Sequence, residues 1–216
     1  MTGALPSPRN LVPMAEPGRV YGGRSEDERR ADRRGRLIDA GLEMFGTEGW
    51  SGATIERLCT AAGVATRSFY EEFSSREALL KAVYEDIMTG VVASVLPRAL
   101  AAEGTPEQRI RVGLAGYVDY LTEDPRRARV ALREIRAAGV LEQDRQAMAI
   151  RFADIIATET KLTPDASGRL MGLALAGAVS EVLVDWVAHP EPRPATAPMI
   201  DTLVRLYVAV ITLQKA

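Results

Sequence analysis

From Ser25 onward the apolar residues recur at three- and four-residue spacing. No stretch alternates apolar and polar positions between hairpin turns, so the pattern is helical throughout. Leu37, Ile38, Gly41, Leu42 and Phe45 share one face, which Gly46 to Gly49 brings to a stop. Ile110, Leu114, Tyr117, Val118 and Leu121 form a second apolar face; Met148, Phe152, Ile155 and Ile156 form another. Starts are marked as clearly as faces. Ser25 and Glu28 have capping-box spacing, as do Thr105 and Gln108, and in that motif each side chain satisfies an orphan backbone donor of the first turn. Thr105-Pro106, Asp124-Pro125 and Thr163-Pro164 each pair an N-cap with proline at the first helical position, and Ala197-Pro198 opens a last helix. The pattern predicts an all-α fold of about nine helices with no internal repeat. Residues 1–24 carry Pro6, Pro8, Pro13 and Pro17 without periodicity and read as a disordered tail, its Arg9, Arg19 and Arg24 solvated.

The segment from Trp50 to Tyr84 is the most informative. Thr54 caps a short helix whose Ile55, Leu58 and Cys59 follow the i, i+3, i+4 rule. Ala61, Ala62 and Gly63 supply a close crossing and a tight turn, and a second short helix carries Phe69 and ends near Phe73. Two short helices joined by a glycine-containing turn describe a helix-turn-helix. Cys59, Val64 and Phe69 fill the wedge between them, which makes Cys59 a small buried hydrophobe. The second helix of such a unit lays its N-terminal part in the major groove of DNA. Here that part reads Ala65, Thr66, Arg67, Ser68, Phe69, Tyr70. Arg67 is suited to a guanine edge and Thr66 to a thymine methyl or a phosphate. Ser68, Tyr70, Thr54 and the amides at the helix starts are suited to phosphates, with Arg76 beside the backbone.

The run from Leu37 to Tyr84 resembles the TetR/AcrR transcriptional regulators. The resemblance rests on Phe45, Gly49-Trp50, Thr54-Ile55, Ala61-Ala62-Gly63-Val64, Phe69-Tyr70-Glu71-Glu72-Phe73 and Ser75-Arg76-Glu77-Ala78-Leu79, in that order. It implies a cytoplasmic homodimer with a three-helix DNA-binding head at residues 25–75. A helical effector-binding and dimerisation body follows at 76–216. It also implies that Thr54, Tyr70 and Arg76 touch phosphates while Thr66 and Arg67 lie on the reading face. Ala65 stands where the family has a capping Ser, which leaves one amide without its usual partner unless Thr66 substitutes. Arg67 replaces a frequent glycine. Glu71 and Glu72 replace aromatic or basic residues, so they are expected to point away from DNA or toward Arg57 and Arg76.

Charge complicates this reading. The chain has 27 Lys+Arg against 29 Asp+Glu, a formal net charge of −2. Residues 24–96 carry ten basic and thirteen acidic side chains, and a nucleic-acid reader ordinarily shows a basic patch. Placement softens the objection, because Arg29, Arg30, Arg33, Arg34 and Arg36 crowd the start of the first helix with only Asp32 among them. Arg33 and Arg34 are therefore added to the DNA-contacting set. A purely partner-binding helical protein stays open on the acidic head. An enzyme fares worse: one Cys and one His leave no metal cluster or His-paired nucleophile, and neither a phosphate loop nor a dinucleotide fingerprint is present. No cofactor or metal is expected. The single Cys fits a reducing compartment, and no uninterrupted apolar run approaches a bilayer span, so no membrane partner is expected.

In the body, Leu170 to Trp186 and Leu203 to Thr212 are rich in small and apolar residues. The last two long helices are expected to pair with those of a second copy in a four-helix bundle. Tyr117, Tyr120, Glu134, Phe152, Met171 and Trp186 are the candidates for an effector pocket: aromatic walls, a flexible Met and one carboxylate. Arg126, Arg129, Arg133 and Arg136 are spaced for one helical face, either paired with nearby acids or open to an anion. His189, beside Pro190, reads as a helix-end residue.

Overall fold

The computed structural model describes residues 25–139, 141–160, 165–190 and 192–213. The tail at 1–24 and the Thr163-Pro164 start lie outside them. Nine helices follow one another without a strand among the described residues: α1 (Glu26–Thr47), α2 (Ile55–Ala62), α3 (Thr66–Glu72), α4 (Arg76–Ala101), α5 (Pro106–Glu123), α6 (residues 125–137), α7 (Glu142–Thr160), α8 (Ala166–Ala188) and α9 (Thr196–Leu213).

The local signals act as the sequence predicts. The Ser25 hydroxyl accepts from Glu28 N at 3.1 Å, and the Glu28 carboxylate accepts from Ser25 N at 2.7 Å. Thr105 and Gln108 repeat the arrangement at the start of α5. Asp124 caps α6 through the amide of Arg126, and Asp165 caps α8 through Gly168. Gly63 ends α2 at φ +62°, the left-handed conformation that glycine adopts without steric cost.

One element departs from its pattern. α6 is α-helical over Pro125–Arg129, π-helical over Val130–Glu134 and α-helical again over Ile135–Ala137. A π-turn holds more residues than an α-turn, so the faces on either side fall out of phase. The arginine stripe expected on one face is therefore split. Arg126 and Arg129 turn to the end of α1, where Arg126 pairs with Glu43 and Arg129 donates to Thr47 O at 2.6 Å. Arg133 is exposed, and Arg136 turns to Ser180 and Glu181 on α8.

One contiguous apolar core runs the length of the chain. Phe45, Leu58 and Phe69 from the first three helices join Leu79, Val83 and Ile87 of α4, Leu121 of α5, Ile135 of α6 and Leu183 and Leu203 of the last two helices. Where α1 meets α6 the backbones nearly touch: a Cβ added to Gly46 would lie 2.9 Å from Arg126 Cα. α8 and α9 bury Leu175, Leu183, Leu203 and Val204 but leave Leu170, Val182, Leu206 and Leu213 exposed. By length and composition alone both helices are apolar enough to cross a bilayer. A search for uninterrupted apolar runs passes them over, because Arg169, Glu181, Asp185 and Arg205 break the run while alanine, leucine and valine keep the average high.

Candidate nucleic-acid interface and internal cavity

The exposed side of α3 carries Thr66, Arg67 and Tyr70. The Arg67 side chain is 92% exposed and held only by an i, i+4 pair with Glu71 at 3.4 Å; Tyr70 is 56% exposed beside the wholly buried Phe69. Such a residue pair buries one ring to fix the helix and leaves the next free to touch a partner. Ser68 is half-buried. Ala65, as expected, caps α3 with no side-chain hydrogen bond. Below the wedge, Cys59 is 4% exposed, and burial pushes its thiol up despite a hydrogen bond with Thr66.

Beside Tyr70 a shallow crevice is lined by Thr54, Ile55, Ser74, Ser75, Arg76 and the two acids Glu56 and Glu77. It lies where the N-termini of α2 and α4 converge, with their unpaired amides and positive dipole ends. Thr54 and Ser75 cap those helices through Arg57 N and Ala78 N. The local field is legible in the acids: each of Glu56 and Glu77 is held below the ordinary carboxylate range, first by its own backbone amide and then by the capping hydroxyl of Thr54 or Ser75. Two carboxylates thus occupy the donors that an incoming phosphate oxygen would use. The crevice brings Thr54, Tyr70 and Arg76 together.

Arg76 is nevertheless committed elsewhere. Its guanidinium stacks 3.7 Å from the centroid of Trp50 and donates to the carbonyls of Trp50 and Ala53 at 3.2 and 3.1 Å. The α1 arginines are committed too. Arg33 pairs with Glu72 at 3.2 Å, as does Arg30. Arg34 donates to Glu72 O and lies over the Phe73 ring, while Arg36 donates to Ala62 O and Gly63 O. Neither α2 nor α3 has a basic residue in its last turn. The cations that complement their carbonyl ends come from α1 instead. The Glu72 side chain is 1% exposed and turns to Arg30 and Arg33 rather than to Arg57 or Arg76; Arg57 is held by Glu48. The acidic pair that counted against DNA binding is thus half neutralised inside the head and half paired with Arg67.

The body encloses an apolar cavity of about 380 Å³ between α4, α5, α6, α7, α8 and α9. Of the six pocket candidates, Tyr117 and Phe152 line it, their ring centroids 6.0 Å apart. The other four do not. Tyr120 sits against Gly90 with Arg127 over its ring, Trp186 donates to Pro194 O at 2.7 Å, and Met171 is half-buried outside the lining. Glu134 is buried, but faces the head: its carboxylate accepts from Trp50 N at 2.7 Å and from Arg129 Nε at 2.9 Å. Its sequence separation of 84 residues from Trp50 hides that role from any local pattern. His189 ends α8, exposed, with its ring nitrogen against Asp185 O.

A helix-turn-helix mounted on a helical body with an internal cavity defines a two-part helix-turn-helix protein. Residues 37–83 match the family model for bacterial regulatory proteins, tetR family. It is 30% identical over 95 residues to the transcriptional activator FasR of Mycolicibacterium smegmatis, covering 44% of this chain and 43% of that one. It is 31% identical over 90 residues to the transcriptional regulator BetI of Paraburkholderia phymatum, covering 42% and 46%. The matched stretch therefore spans less than half the length of these curated relatives. The solved structure of AibR in complex with isovaleryl coenzyme A and operator DNA has the same fold, with a TM-score of 0.60 at 16% identity over 81% of this chain and 97% of that one.

Proposed function

We propose that the protein is a cytoplasmic, homodimeric regulator that binds a palindromic DNA operator through the major groove and is released by a small-molecule effector, most simply as a repressor. The observation that carries the reading is the exposed Arg67 and Tyr70 on a helix whose buried Phe69 is locked in the core. Residues 25–75 act as the DNA-binding head. Arg67 and Thr66 read base edges; Thr54, Ser68 and Tyr70 hold phosphates through their hydroxyls. Arg33, Arg34 and Arg76 serve by shaping the head, given their intramolecular partners. Residues 76–216 hold the effector and the dimer interface. The exposed Leu170, Val182, Leu206 and Leu213 favour a second copy against α8 and α9, which would set two reading helices about one DNA turn apart.

Effector control runs through α6 in this reading. Ala131 and Leu132 line the cavity from the π-turn, while Glu134 of the same turn holds the backbone of Trp50, on which Arg76 stacks at the start of α4. A ligand that prefers one setting of the π-turn then shifts the population of head positions. No catalytic or cofactor chemistry is assigned.

The test is selection of bound sites from random duplex DNA, followed by titration of the selected site. A palindrome is expected, with Arg67→Ala and Tyr70→Ala each weakening binding at least tenfold while helicity and oligomeric state stay unchanged. Undiminished specific binding by both variants would remove the head assignment. Failure to bind any DNA, even at low salt, would favour a partner-binding protein instead.

A further inference from the structure

The cavity lining has a polarity that its apolar character conceals. Its polar side chains are the phenols of Tyr84, Tyr117 and Tyr207, the hydroxyl of Ser180 and the guanidiniums of Arg109, Arg136 and Arg145; among the described residues no carboxylate or carboxamide lines it. Tyr84 is 6% and Tyr207 4% exposed, yet neither phenol has a hydrogen-bond partner among the described residues, and burial keeps both neutral, Tyr84 up to about 12. Both residues line the cavity, with their hydroxyls open to a molecule that fills it. Tyr84 lies within the field of Arg136 and Arg145, so the phenols and the two guanidiniums form one donor-rich end.

The arginines are oriented but not saturated. Arg136 gives both Nη atoms to Ser180 and Glu181, and Arg145 gives Nε and Nη2 to Glu142. Both acids are on the outer side and more than half exposed. Arg136 Nε and Arg145 Nη1 have no protein acceptor among the described residues. A guanidinium anchored on its outer edge and donating on its inner edge is preset for a carboxylate. The opposite end is formed by Leu96, Ala99, Pro106 and the exposed Arg109. From Tyr84 to Ala99 along α4 is about 22 Å at 1.5 Å per residue. That span accommodates an extended hydrocarbon chain along the apolar side chains between the two ends.

We infer that the effector is a free aliphatic carboxylate, bound with its carboxylate at the inner end between Arg136, Arg145 and Tyr84 and its chain running toward Arg109. The inference rests on the reading of this cavity as the effector site. It separates the ligand from a coenzyme A ester, whose acyl tail would enter first and set its terminal methyl against the unpaired phenols and guanidiniums. It equally excludes amines, for which the lining offers three cations and, among the described residues, no counter-charge.

Four probes of one chain length decide it: decanoate, decan-1-ol, decylamine and decanoyl coenzyme A, titrated into the full-length protein by calorimetry. Decanoate is expected to bind at one per chain, decan-1-ol at least tenfold more weakly, and the amine and the thioester not measurably. Arg145→Met should reduce decanoate affinity at least tenfold and leave decan-1-ol within twofold. That pattern shows lost charge recognition, whereas collapse of the cavity would weaken both. Tyr84→Phe, which keeps the ring, should weaken decanoate several-fold. Equal binding of the alcohol and the acid, or binding of the thioester in place of the acid, overturns the carboxylate assignment while leaving the cavity as a ligand site. Failure of all four to bind overturns the effector-site reading along with it.

Discussion

The carboxylate of Glu134 is the most sharply testable link between the two halves of the molecule. Replacing it with alanine removes two hydrogen bonds, one to Trp50 N and one to Arg129 Nε. The Glu134 side chain is 6% exposed, while that of Arg129 is 32% exposed. Deleting one partner of a fully buried pair costs about 3–5 kcal/mol, because the other charge is stranded. Arg129 is not stranded: it keeps its bond to Thr47 O and can take up water. The Trp50 amide is less fortunate, and a buried donor left unmade costs about 1–3 kcal/mol. Together these place Glu134→Ala at about 2–3 kcal/mol of destabilisation, which is roughly 4–12 °C in melting temperature for a chain of this size. The assay is thermal and urea unfolding followed by circular dichroism. Fluorescence in a Trp186→Phe background isolates Trp50, since the chain has two tryptophans. Trp50 should shift its emission in the variant before global unfolding begins. A variant that melts with the parent and leaves Trp50 emission unchanged would show that the carboxylate does not join the body to the head.

Glu72→Ala leaves Arg30 and Arg33 without their shared acceptor; since Arg30 is well solvated, the cost is set at about 1–2 kcal/mol, with operator affinity falling as α3 loosens, and unchanged values in both urea unfolding and anisotropy would count against it. Gly46→Ala forces the α1 and α6 backbones apart, since the new methyl meets Arg126 Cα rather than a side chain that can swing; a loss of at least 2 kcal/mol is expected, and a variant as stable as the parent refutes the close approach. Asp124 is held below the ordinary carboxylate range, chiefly by the Arg126 side chain. A depressed folded pKa gives stability that is complete above the unfolded value, near 3.9, and is lost as pH falls through the folded one. Asp124→Asn should therefore flatten the stability profile below about pH 4, and parallel acid unfolding of both proteins would contradict this.

What the sequence made legible was local. The capping boxes at Ser25 and Thr105, the left-handed Gly63 and the uncapped Ala65 each depend on residues within four positions, and the structure reproduces them. The helix-turn-helix itself is such a local object. What stayed hidden depends on contacts between distant segments. Glu72 meets partners about forty residues away, and Glu134 meets one 84 residues away; of the two settings expected for Glu72 the pairing with Arg57 and Arg76 is not the one formed, and the carboxylate offered to the pocket turns to the head. The π-turn at Val130–Glu134 explains why the arginine stripe is split, since a face drawn at the α-helical period passes through it out of phase. The cavity was half legible: aromatic residues on one face of α5 and α7 pointed to Tyr117 and Phe152. Tyr84 and Tyr207 carry no local signal, because only the packing of α4 and α9 brings them to the cavity.

The uninterrupted core that joins Phe69 under the reading helix to Leu203 in the last one also bears on how the molecule can fail. With no break in the core among the described residues, melting should be one cooperative event in which the α3 surface and the cavity vanish together. Anything that fills the cavity would then raise the midpoint for the whole chain by mass action, including the proposed DNA-reading head. Heat and ligand would release an operator by different routes: heat by destroying the reader, and ligand by preserving it in the wrong position.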